Sequence, residues 1–251
     1  MNQQELWITS SLDGTSQPSL FYRASKPNRP LLVGLHTWSC DRFNQIKHML
    51  PFAEEQDFNL LLPEFRGPNL GSNPNRYVAC GSEFAKRDIQ DAIDYVIAHE
   101  NADKENVFLL GASGGGHMAL LMAGYCPEYF KAIAAFVPIT DLKKWSVENP
   151  KYGAHINNCC GLADDELARR SPISYTDTIA TANLKIFHGK RDSVVPFTQS
   201  VTLYSRILEE HPTARVYLDI FDGGHQLEMN LASYWLLSQY KKPQSIKEVT
   251  G

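Results

Sequence analysis

The run from Val107 to Ala119, VFLLGASGGGHMA, restricts this chain more than any other stretch. Val107-Phe108-Leu109-Leu110 is short, apolar and β-favouring, whereas Met118 to Ala123 is rich in helix formers and has no β-branched residue. Between them, Gly111-Ala112-Ser113-Gly114-Gly115 must turn a strand directly into a helix. A reversal that tight brings backbone against backbone, so glycine is needed on both sides of the serine. The helix then begins beside Ser113 and turns its free N–H groups and positive dipole end toward it.

The remainder of the chain supports a fold built from such units. Apolar runs at Pro30 to His36, Asn59 to Pro63, Ala132 to Val137, Leu184 to His188 and Val216 to Phe221 read as buried strands, with Leu20 to Arg23 as an edge strand. Helical stretches fall between them: Phe43 to Gln56, Phe84 to His99 with Ser82 as its N-cap, the helix after Ser113, and Thr198 to Glu210. The alternation predicts an α/β fold, a mostly parallel central sheet with helices on both faces. Residues 140–181 break the rhythm. They are polar, carry Pro150 and Pro172, and mix Trp145, Tyr152 and Tyr175 with charges, which predicts an insertion over the active-site end of the sheet. No linker divides the 251 residues, so one domain is expected.

Composition narrows the function classes. Hydrophobic residues make up 43% and charged residues 21% of the chain, the balance of an ordinary globular protein. A net charge of −4 without a basic cluster argues against nucleic acid or an anionic membrane as partner. The first residues have neither the basic n-region nor the apolar core of a signal peptide, so a cytoplasmic location is expected, with an exported form still compatible. Five cysteines without C-x-x-C spacing give no zinc signature. Cys159-Cys160 reads as two loop thiols; the sharper alternative pairs one of them with Cys80 in an exported form. The run Gly114-Gly115-Gly116 has neither G-x-G-x-x-G order nor a following Gly-Lys-Ser/Thr, so it is not a nucleotide loop. No metal or other cofactor is implied, and an oligomer is compatible with everything above.

A serine hydroxyl needs a base to take its proton and a carboxylate to orient that base. Asp192, in the loop after the Leu184 to His188 strand, is the expected acid. His225, behind Gly223-Gly224 after the last strand, is the expected base. Asp222 is a second choice for the acid, and His36, His117 and His188 compete less well as bases. An oxyanion would need two backbone donors. Gly114 supplies one; Trp38, with Thr37 as the fallback, supplies the other from the loop after the strand ending at His36. Trp38 and Trp145 are candidates to line an acyl site, the alternative being core packing. Arg66 would either bind a substrate carboxylate or pair with Glu64.

With these segments in place, namely Val107 to Ala119, His188 to Pro196 (HGKRDSVVP) and Asp222 to His225 (DGGH), the chain resembles the α/β-hydrolase superfamily over most of its length. More closely it resembles the catalytic domain of the prolyl oligopeptidase group and the related dienelactone-hydrolase and acetyl-xylan-esterase-like proteins. The resemblance implies a Ser113–Asp192–His225 triad. Two departures stand out. Only 112 residues precede Ser113, too few for the β-propeller with which prolyl oligopeptidases gate their site, and His36-Thr37-Trp38 stands where many relatives carry His-Gly-Gly. The leading expectation is a metal-independent esterase acting on small-molecule or carbohydrate esters with short acyl groups. The alternatives are a peptidase for small peptides and a non-catalytic binding protein on a hydrolase scaffold.

Overall fold

The structure, a computed structural model, describes residues 1–240. Eight strands form its sheet: β1 (Asn2–Thr9), β2 (Ser16–Arg23), β3 (Arg29–Leu35), β4 (Asn59–Pro63), β5 (Ala102–Ala112), β6 (Ala132–Phe136), β7 (Leu184–Gly189) and β8 (Val216–Phe221). They lie in the order β1-β2-β4-β3-β5-β6-β7-β8. β1 and β2 pair antiparallel, as do β2 and β4; every other pairing is parallel. β1 is the element that the pattern of residues conceals. It alternates so that only Leu6 and Ile8 turn inward, and the other positions are polar apart from the exposed Trp7.

Nine helices are seen among the described residues: α1 (Ile46–Gln56), α2 (Glu83–Glu100), α3 (Gly114–Tyr125), α4 (Leu142–Glu148), α5 (Pro150–Cys160), α6 (Asp164–Arg169), α7 (Thr176–Ile179), α8 (Thr198–Glu210) and α9 (Met229–Gln239). The Ser82 hydroxyl accepts the N–H of Ala85 and caps α2, as expected. None of these helices is long and apolar enough to cross a membrane.

The strand period of two sorts side chains into two cores. Leu31, Val33 and Leu35 of β3, with Val107 and Leu109 of β5, meet α2, α3 and α8 on one face. Leu32, Phe108 and Leu110 meet α1 and α9 on the other. Each such fully buried side chain contributes about 2 kcal/mol. Helix α3 is buried from Gly114 through Ala123, which explains why its sequence is apolar on every face rather than along one stripe. It follows β5 in the middle of the sheet, so its first residue is held at the centre of the carboxyl-end rim.

The insertion divides in two. Its first part, α4 to α6, packs beside the rim around Trp145, Ile156 and Leu167. Its last helix, α7, returns to the helical layer against α3 and α8.

Candidate active site

Ser113 sits at φ 56 and ψ −118, a conformation that side chains rarely adopt. Its N–H donates to the Phe136 carbonyl at 2.9 Å, which ties the turn to the end of β6. A Cβ on Gly111 would stand 2.1 Å from the Gly115 carbonyl oxygen, so the turn closes only with glycine there. Val137, a β-branched residue at φ 42, borders the same spot.

Four strand ends converge on this serine. His225, after β8, places Nε2 2.8 Å from Ser113 Oγ. Its Nδ1 lies 2.7 Å from Asp192 Oδ2, from the loop after β7. The Asp192 side chain is fully buried and its Oδ1 accepts the N–H groups of Val194 at 2.8 Å and Val195 at 2.9 Å. Burial alone would push this carboxyl up, but hydrogen bonds from His188 and His225, and from the Val195 amide, hold it well below the usual carboxylate range. It therefore stays ionised throughout the neutral range.

His188, at the strand end before Asp192, has the structural rather than catalytic place expected of it. Ser200 Oγ lies 2.7 Å from its Nδ1, while its Nε2 faces the Val195 carbonyl at 2.9 Å and Asp192 Oδ2 at 3.3 Å. A neutral ring satisfies all three if Ser200 donates to Nδ1 and Nε2 carries the proton. Asp222, the second-choice acid, is exposed and paired with Lys190 and Arg191 instead.

Opposite the histidine lies the loop after β3. A Cβ on Gly114 would come within 2.4 Å of the Trp38 amide nitrogen, so the two backbones approach each other as two donors to one oxygen must. Among the described residues neither the Trp38 nor the Gly114 N–H has an acceptor. Thr37, the fallback, is engaged: its N–H donates to Asn44 Oδ1 at 3.2 Å. The loop is held from behind, where the Asn69 N–H donates to the Trp38 carbonyl at 2.8 Å. His36 stacks on Phe65 at 3.9 Å and bridges the Thr37 and Glu64 carbonyls, a structural place rather than that of a base.

Two expected substrate-binding residues are elsewhere. Trp145 is fully buried behind Trp38, edge-on at 5.0 Å, with Nε1 donating to the Val194 carbonyl at 2.9 Å. It is core, and Tyr152, stacked on it at 4.5 Å, forms the cavity wall in its place. Arg66 does not face the cavity and does not pair with Glu64. Its guanidinium is buried against Asp88 at 2.5 Å and Asp13 at 2.8 Å, because a buried cation is held only where carboxylates can meet it. Glu64 pairs with Arg42 instead, at 2.9 Å.

The cavity over Ser113 has a volume of 490 Å³. Trp38, Lys47, His48, Tyr152 and Gln226 are among its lining, and among the described residues no aspartate or glutamate is. One surface group, Asp177, Glu210 and His211, brings three metal-ligand atoms together, far from Ser113 in the fold and already engaged by Thr176, Arg206 and one another.

The acylamino-acid-releasing enzyme 1 of Oryza sativa is 28% identical over 200 residues, which are 72% of this chain and 25% of that protein. The chain thus spans about a quarter of the length of that relative. Among solved structures, the acylaminoacyl peptidase of Pyrococcus horikoshii superposes with a TM-score of 0.69 at 18% identity, over 89% of this chain and 37% of that one. An esterase of Pyrococcus furiosus superposes with a TM-score of 0.71 at 16% identity, over 95% of this chain and 89% of that one. These likenesses establish the α/β-hydrolase fold. The profile of the prolyl oligopeptidase family matches residues 46–241, and the chain belongs to that family of serine hydrolases.

Proposed function

We propose that Ser113, His225 and Asp192 act as nucleophile, base and orienting acid in acyl transfer from short N-blocked peptides. The observation that carries the reaction is the unbroken chain of hydrogen bonds from Ser113 Oγ through both nitrogens of His225 to Asp192. His225 Nε2 takes the hydroxyl proton as Ser113 attacks the carbonyl carbon. The developing oxyanion receives the Gly114 and Trp38 N–H groups, and Asp192 steadies the imidazolium. His225 then gives its proton to the leaving amine, and water repeats the sequence to release the acid.

For the substrate, two observations favour a blocked N-terminus. The Oryza relative is named for releasing acylamino acids. Among the described residues no carboxylate lines the cavity to pair with a free α-ammonium group, and Lys47 would repel one.

A second reading is the ester hydrolysis expected from the sequence, including esters on a carbohydrate alcohol. The Pyrococcus furiosus esterase favours it, since the match covers nearly the whole of that protein. Relative rates on an acetyl-aminoacyl p-nitroanilide and a short p-nitrophenyl ester separate the two. Turnover of the anilide supports the peptidase; turnover of the ester alone supports the esterase. The reaction itself is tested with a fluorophosphonate probe, which is expected to label the protein and to fail on Ser113→Ala. Absence of labelling on the folded protein would leave only a binding role.

A further inference from the structure

The insertion and the loop on which it packs carry a pair of cysteines, Cys160 and Cys80, that the hydrolytic site does not use. Cys80 is buried in the turn after the short helical segment Arg76–Val78, at φ 49. Cys160, the last residue of α5, is half-buried and so open to a small reagent. Cys160 packs against the apolar cluster to which Cys80 belongs, and α5 packs directly on Arg76–Val78. Arg170 stands beside them, its Nη1 donating to the Ala79 carbonyl at 2.7 Å and the Cys80 carbonyl at 3.1 Å.

The division of labour within the pair follows from its surroundings. The neighbouring Cys80, with Arg170 nearby, holds the Cys160 thiol below its ordinary value and makes it the better thiolate. The neighbouring Cys160, then burial, pushes Cys80 up. Cys159 is different. It is buried in the apolar cluster with Trp145 and Ile156, and burial pushes its thiol up to about 11.

We propose that Cys80 and Cys160 form a reversible dithiol–disulfide site, oxidised by small disulfides of the glutathione type, that fastens α5 to the loop behind Trp38. The Cys160 thiolate attacks one sulfur of glutathione disulfide; that S–S bond breaks and one glutathione leaves as its thiolate. Cys80 then gives up its proton and attacks the Cys160 sulfur, and the second glutathione leaves. Two protein thiols are oxidised, one glutathione disulfide is reduced, and the two released protons go to the two glutathione thiolates.

The bond would matter at the cavity. Helix α5 also carries Tyr152, which lines it. On the other side, the Cys80 N–H donates to Asn69 Oδ1 at 2.8 Å, and Asn69 in turn holds the Trp38 carbonyl. The crosslink therefore joins the two walls of the cavity from behind. This inference does not depend on whether the substrate is a peptide or an ester.

The test equilibrates the full chain with glutathione and glutathione disulfide at several ratios, quenches with acid, alkylates and maps the peptides by mass spectrometry. A Cys80–Cys160 crosslink, removed by dithiothreitol and retained in Cys159→Ser, is the expected product. Trypsin cleavage after Lys151 and Arg169 should slow several-fold on oxidation of the wild type and stay unchanged in Cys160→Ser. Stable glutathione on Cys160 with Cys80 still free, a crosslink through Cys159, or equal cleavage of the oxidised and reduced protein would overturn the proposal.

Discussion

On the base side of Ser113, the buried Asp192 carboxylate faces two backbone amides and two imidazole nitrogens. On the oxyanion side, the Trp38 and Gly114 N–H groups have no acceptor among the described residues, while their neighbour Thr37 is satisfied by Asn44. A buried charge must be fully partnered for the chain to fold around it, so the base side is stabilised by its own completeness. Donors meant for a charge that exists only in a transition state have to be held in place unspent, and the surrounding fold offsets that cost. One half of the site should thus be sensitive in both stability and rate, and the other mainly in rate.

The largest effect is expected from Asp192→Asn. It keeps the shape but removes the anion that fixes the His225 tautomer, so kcat/KM should fall on the order of 10⁴-fold. The same change leaves donors facing donors in a buried place, and unfolding in denaturant should show a loss of about 3 kcal/mol. A full loss of rate with unaltered stability would break the comparison on its base side.

Gly114→Ala probes the other half. Its added methyl would displace the Trp38 amide, which lies 2.4 Å from that position. Steady-state kinetics should show kcat lower by about 10²–10³-fold, the effect of one lost oxyanion donor. The stability cost should stay within about 2 kcal/mol, as for a single overpacked methyl. Equal losses of KM and kcat would place the Trp38 loop in ground-state binding instead.

The smallest effect at neutral pH, and one that grows on acidification, is expected from His117→Gln. His117 lies on α3 with its ring 6.0 Å from that of Trp38, fully buried, its Nε2 on the Arg170 carbonyl at 2.7 Å. Burial lowers its pKa from 6.5 to about 4. Above pH 6.5 the ring is neutral whether folded or unfolded; below it, the unfolded chain takes up the proton first. Stability should therefore fall between pH 6.5 and 4, by up to about 3 kcal/mol from this group. Unfolding measured across that range should give a flatter acid limb for the variant than for the wild type.

What was legible in the residues has a physical pattern. Ser113, Asp192 and His225 could be found because each sits in a loop at a strand end, where glycines and chain order mark it locally. The Ser82 cap and the Val107–Ala112 strand segment are local in the same way. Trp145 and Arg66 were misplaced because side-chain direction at a strand end depends on what packs there: Trp38 occupies the cavity-facing place that Trp145 would need, and Asp88 and Asp13 supply the carboxylates that draw Arg66 inward. Tyr152 was legible only as one aromatic of the insertion, since its particular place comes from stacking on Trp145 across two helices. The His188–Ser200 contact carried no signal, being formed between a strand end and a helix 12 residues on.

The Val194 carbonyl accepts both Trp145 Nε1 and Asn149 Nδ2, from the insertion, while the amide of the same residue holds Asp192. Moving α4 therefore pulls on the peptide unit from the Val194 carbonyl to the Val195 N–H, which itself grips the Asp192 carboxylate. Evolution cannot loosen the insertion to admit a bulkier molecule without also detuning the proton relay, so changes in appetite and in turnover are mechanically coupled.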